Sequence, residues 1–146
     1  MYDNKETMMK TLTVFYLLIA FAILLTTTSM AKNLDGTWKG SQVGGDSGEW
    51  TFVFADSQLT VFGPNSGEYY KMNVKFFEDD KYKKVKAEFV DASDPSVTGL
   101  SSTAIYKLED GILTIAASEP GYSSAPKSFD AKWGVYVFKL SKEKTK

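Results

Sequence analysis

The chain has 146 residues, enough for one ordinary domain, and its 17 basic and 18 acidic residues leave a formal net charge of -1. No field of one sign argues for a nucleic-acid or anionic-membrane partner, and every basic residue is lysine, so the planar fork that reads guanine or clamps phosphate is missing. Histidine and cysteine are absent, which excludes a thiolate nucleophile, a disulfide, a Cys/His zinc site and the usual neutral-pH acid–base group.

The chain opens on an uncharged run from Leu12 to Leu25. That length suits a signal-peptide core of about 7–15 residues better than a membrane span of about 20. Lys10 supplies a positive flank, and Ser29-Met30-Ala31 puts small residues at the −3 and −1 positions of a cleavage site after Ala31. Residues 1–31 therefore read as a signal segment and 32–146 as the mature domain. Asp3 and Glu6 fit such a segment poorly, and a start at Met8 or Met9 would remove both. A retained N-terminal anchor is the alternative use of the run. The expected compartment is secreted or periplasmic, in the cell envelope, with the mature part not membrane-embedded. Without disulfides that part must be held by its core alone.

From Lys32 onward short strands alternate with turn signals. Gly36 to Val43 is the first strand, and Gly44 to Gly48 is a glycine-rich loop. That loop lacks the Gly-Lys-Ser/Thr and helix of a phosphate site. Glu49 to Ala55 places Trp50, Phe52 and Phe54 on one face, and Asp56-Ser57 is a tight turn into Leu59–Phe62. Tyr70, Met72, Val74 and Phe76 alternate with polar residues, as do Val85, Ala87 and Phe89 after the charged turn 78–81. Residues 91–99 form a polar loop. Ala104 to Leu108 and Ile112 to Ala117 flank Asp110-Gly111, a strong hairpin signal. Ser118 to Asp130 is a long loop, and Ala131 to Leu140 is the last strand. About eight strands at this spacing predict an all-β fold, an antiparallel sandwich or barrel. A barrel leaves no edge to aggregate.

Leu34-Asp35-Gly36-Thr37-Trp38-Lys39 resembles the Gly-x-Trp opening strand of lipocalins. Val53 to Val61, Asp79 to Val85 and the stretch Ile105 to Ile115 follow in the order of a lipocalin-like family first catalogued in planctomycete bacteria. Glu119-Pro120-Gly121, Pro126 and Phe129 continue the pattern. The chain departs from it at Ala116, where that family often has cysteine, and at Ala125, where an arginine commonly precedes the proline. The resemblance implies an eight-stranded antiparallel lipocalin-like barrel, usually exported, without a settled activity. It also implies that Trp38 plugs one end under a lysine, Lys139 or Lys142.

Trp50, Phe52, Tyr70, Tyr106 and Trp133 are the candidate ligand-contacting residues. An eight-stranded interior either fills with such side chains or holds one small ligand. Acidic pairs at Asp79-Asp80, Asp91 with Asp94, and Glu109-Asp110 lie in expected turns, where solvation explains them better than glycoside chemistry or calcium binding. Lys81, Lys83, Lys84 and Lys86 read as a solvated strand face. No catalytic residue, metal ligand or cofactor is expected. The leading expectation is a binding domain for a small apolar or amphipathic molecule. The alternative is a structural or protein-interaction module of the envelope with a filled barrel.

Overall fold

A strand with alternating side chains buries one face, and eight such strands bury all of those faces together by closing on one another. The computed structural model describes residues 33–45 and 48–144. Its strands are β1 (Gly36–Gln42), β2 (Trp50–Ala55), β3 (Gln58–Phe62), β4 (Tyr69–Glu78), β5 (Lys83–Ala92), β6 (Ser101–Glu109), β7 (Ile112–Ser118) and β8 (Val135–Lys142). Each pairs antiparallel with the next, and β8 returns to β1 to close the barrel. The eight-stranded all-β architecture expected from the sequence is the one observed. The signal segment expected over residues 1–31 lies outside the described residues. Among the described residues no helix is long and apolar enough to cross a membrane.

The turns explain the register. Between β6 and β7, Asp110 and Gly111 both take positive φ, 51° and 77°, as a tight hairpin matched to strand twist requires. This sets Glu109 opposite Ile112 and Tyr106 opposite Ile115. Asp56 also has a positive φ, 55°, in the two-residue link that sets Ala55 opposite Gln58.

Two expectations need correction. The last strand does not begin at Ala131. Gly134 turns at φ 73° and the Val135 N–H donates to the Lys132 carbonyl at 2.9 Å, so a turn precedes a strand that starts at Val135. Residues 91–99 are not all loop, because β5 runs on to Ala92 through a register shift opposite Lys71/Met72. A single 3-10 turn, Pro95–Val97, follows, capped by the Asp94 carboxylate.

One end of the barrel is packed shut. Trp38 is 2% exposed, its Nε1 donates to the Leu34 carbonyl at 2.7 Å, and the Lys142 ammonium lies over its ring. Phe76 packs between Phe54 and Tyr106, meeting the tyrosine edge-on at 5.9 Å. Gly36 is required here by its backbone, because its φ of 118° strains any residue with a Cβ, whereas the Lys142 Cε, 2.9 Å from such a Cβ, belongs to a flexible stem that can shift.

A second apolar cluster lies outside the wall. Ile105, Ala116 and Val137 stand side by side across β6, β7 and β8, and are covered by Tyr82, Ala125 and Phe129. The β7–β8 connection is thereby strapped to the barrel. The Tyr82 hydroxyl donates to the Lys127 carbonyl at 3.0 Å, and the Thr103 hydroxyl donates to the Ser123 carbonyl at 3.3 Å. Ala116 and Ala125, the two departures from the resembled pattern, both belong to this cluster.

Candidate functional site

The other end of the barrel stays open because small residues face inward there. Ala87 on β5, Ser102 and Ala104 on β6, and Ala117 on β7 leave space that Phe52, Leu59, Val61, Met72, Phe89, Ile115 and Phe138 wall in. The resulting cavity has a volume of about 570 Å³. Its rim comes from four connections. Gln42 and Trp50 flank the first, Glu68 closes the second, Asp94, Ser96 and Val97 belong to the third, and Glu119 and Pro120 begin the fourth.

Three of the five candidate ligand-contacting residues meet at this cavity: Trp50, Phe52 and Tyr70. Trp50 and Phe52 both lie against the Phe138 ring at centroid distances of 5.1 Å, and Tyr70 meets Phe89 edge-on at 6.1 Å. Tyr106 does not join them. It faces inward but belongs to the closed end, packed on Phe76. Trp133 does not join them either. The turn at Gly134 leaves it on the surface, 87% exposed, because the strand that would have carried it inward starts two residues later. Sequence reasoning placed Met72 on the inward face without naming it a candidate, and it missed Phe138 and the small inward residues. Phe138 was readable in phase with Leu140, but the alanines carry no signal of their own, since only their neighbours' size makes them space.

Polar groups are concentrated at the rim. The Tyr70 hydroxyl donates to Glu68 Oε1 at 3.1 Å, and Asn65 donates to Glu68 Oε2 through its backbone N–H at 3.3 Å and its side-chain amide at 2.7 Å. Burial, then the hydrogen bond to Glu68, push the Tyr70 phenol above its ordinary range, with Asp94 and Tyr136 adding to the effect. Asp94 accepts from the Ser96 N–H at 2.9 Å, and the hydrogen bonds from Ser96 hold its carboxyl below the usual carboxylate range. Deeper in, the Ser102 hydroxyl is occupied by the Ser118 carbonyl at 2.6 Å. The lower cavity is therefore apolar and the mouth is anionic.

Two other acids, Asp91 and Asp79, are engaged away from the cavity. Asp91 accepts from Tyr69 and Lys71 on the outer wall, at 3.1 and 3.2 Å. Asp79 receives the Lys84 ammonium and the N–H groups of Lys81 and Tyr82. Among the described residues no group of three or more carboxylates is placed to hold a metal ion. Comparison of the chain with protein-family models, with curated proteins and with solved structures gives no match.

Proposed function

We propose that the chain is an exported, lipocalin-like binding domain that holds one small apolar or amphipathic molecule in the open end of its barrel and does not transform it. The observation that carries this reading is the cavity of about 570 Å³, walled by aromatic and aliphatic side chains with polar groups confined to its mouth. Sites for small molecules commonly have about 300–1,000 Å³ and this division of surface. A barrel filled from end to end would have favoured a structural module working through its loops. The Gly36-Thr37-Trp38 strand with a lysine over the indole supports the lipocalin likeness from the opposite end.

Native mass spectrometry of protein isolated from its original host tests the reading. The expected result is a bound small molecule that is released on denaturation and absent from an Ala104→Phe variant, whose new ring occupies the cavity. Host protein at its bare mass, with no thermal shift from any of a panel of apolar molecules, would overturn it.

A further inference from the structure

We propose that the molecule held here is an organic cation with an apolar body, an amine or quaternary ammonium, seated with its charged head among Glu68, Asp94 and Glu119. This inference rests on the ligand-binding reading and adds the sign of the ligand's charge. Three carboxylates line the cavity and no lysine does, in a chain whose 17 lysines almost balance its acids. The excess is local. On the neighbouring strands Lys71 pairs with Asp91 and Lys84 with Asp79, both away from the cavity lining.

The three acids arrive on three separate connections, each fixed by its own backbone. Asn65 and Tyr70 hold the Glu68 carboxylate, Ser96 holds that of Asp94, and the Glu119 N–H donates to the Gly134 carbonyl at 3.0 Å. Beneath them Trp50, Tyr70 and Tyr136 offer aromatic surface, which attracts a cation and does nothing for an anion. A fatty-acid carboxylate in the same position would meet three like charges, of which Glu68 and Glu119 are half-buried and Asp94 is exposed, and repulsion by the half-buried pair is stronger than in bulk solvent. A head group of opposite sign gains from the same arrangement, and the apolar wall below accepts its tail.

The test titrates the full-length chain with decyltrimethylammonium, decanoate and decanol, each below its aggregation limit, at neutral pH. Binding is read by calorimetry and by the fluorescence of Trp50, the tryptophan at the cavity. Decyltrimethylammonium should bind at least about tenfold more tightly than decanoate, a difference of about 1.4 kcal/mol. Added salt should narrow that gap. The variant Glu68→Gln/Asp94→Asn/Glu119→Gln should abolish the preference. If the triple variant does not fold, Glu119→Gln alone, beyond the last paired residue of β7, must reduce the preference. Equal or tighter binding of decanoate overturns the inference, as does a preference that survives the variants. In either case continued decanol binding leaves the ligand-binding reading standing. Failure of all three probes, or binding indifferent to Ala104→Phe, overturns both.

Discussion

The Lys142 ammonium sits 5.5 Å from the centre of the Trp38 ring, and the two residues are partners in the ladder that joins β8 to β1. One contact therefore caps the packed end of the barrel and lies on the seam that closes it. Trp38→Ala should cost about 3–5 kcal/mol, the range for truncating a buried aromatic in a close-packed core. Lys142→Gln keeps most of the stem and should cost only about 0.5–1 kcal/mol. Urea unfolding of both variants checks the ratio. Trp38→Ala within error of the parent would place the indole outside the core.

The Asp110-Gly111 turn allows a sharper separation of causes. A Cβ on Gly111 would meet nothing within 4 Å, so any cost of substitution there is backbone strain at φ 77° rather than a clash. Gly111→Val should destabilise by about 1–3 kcal/mol, and Gly111→Asn by clearly less, because asparagine tolerates this region. Thermal unfolding of the pair is decisive. Equal melting temperatures would mean that the turn does not impose its conformation.

Tyr106 predicts behaviour in alkali. Burial, aided by Glu78, pushes its phenol from an ordinary 10.0 to about 12, and the residue is 5% exposed. A raised value in the folded state means that its contribution is complete below pH 10 and is lost as pH rises through 12. The difference corresponds to about 2–3 kcal/mol. Tyr106→Phe should therefore flatten the alkaline limb of the stability profile while changing neutral stability by less than about 1 kcal/mol. An unchanged limb would show that another group sets it.

Asp79 contributes to the acid side, where Asp91 and Asp94 are also held below the usual carboxylate range. The Lys84 ammonium, with the N–H groups of Tyr82 and Lys81, holds its carboxyl down from an ordinary 3.8 to about 2. A depressed value contributes stability that is present above pH 3.8 and is lost as pH falls through 2. Asp79→Asn should lower the melting temperature at neutral pH and remove part of the decline across that window. A parallel offset at every pH would assign the acid sensitivity to other carboxylates.

Export with cleavage after Ala31 predicts that N-terminal sequencing of protein recovered outside the cytoplasm begins at Lys32. A chain recovered intact in the membrane fraction would favour the retained anchor.

How far the sequence could be read depended on which face of a strand meets which environment. Tyr70 to Phe76 and Val85 to Phe89 alternate strictly because their outer partners, Lys71, Lys75, Lys84 and Lys86, meet water. Those strands were legible to within three residues at each end. On β6 and β7 both faces are buried, the inner by the barrel and the outer by the strapped connection. Ser102 to Tyr106 and Leu113 to Ala116 are therefore buried without a break, and it was the Asp110-Gly111 turn rather than alternation that made these two strands legible. Trp133 was misplaced for a different reason. A two-residue turn within an apolar stretch reversed the chain where Gly134, a single residue, was the only signal. The cavity was illegible for a third reason, since it arises from four small residues on three strands that only the closed register brings together.

Every neighbour in the barrel but one is also a neighbour along the chain, and the exception is the β1–β8 seam. A chain emerging from the ribosome can form its hairpins in order, but it cannot close until Phe138 to Lys142 are available to pair with β1. Joining such distant segments costs loop entropy before any contact rewards it, so closure is the slow, late event of folding. Until then β1 and β7 carry open rows of backbone donors and acceptors, the template on which another copy can add a strand. The C-terminal strand is the timer of the fold. While that strand is withheld the chain stays a string of hairpins, and a chain cut before Val137 keeps both edges open.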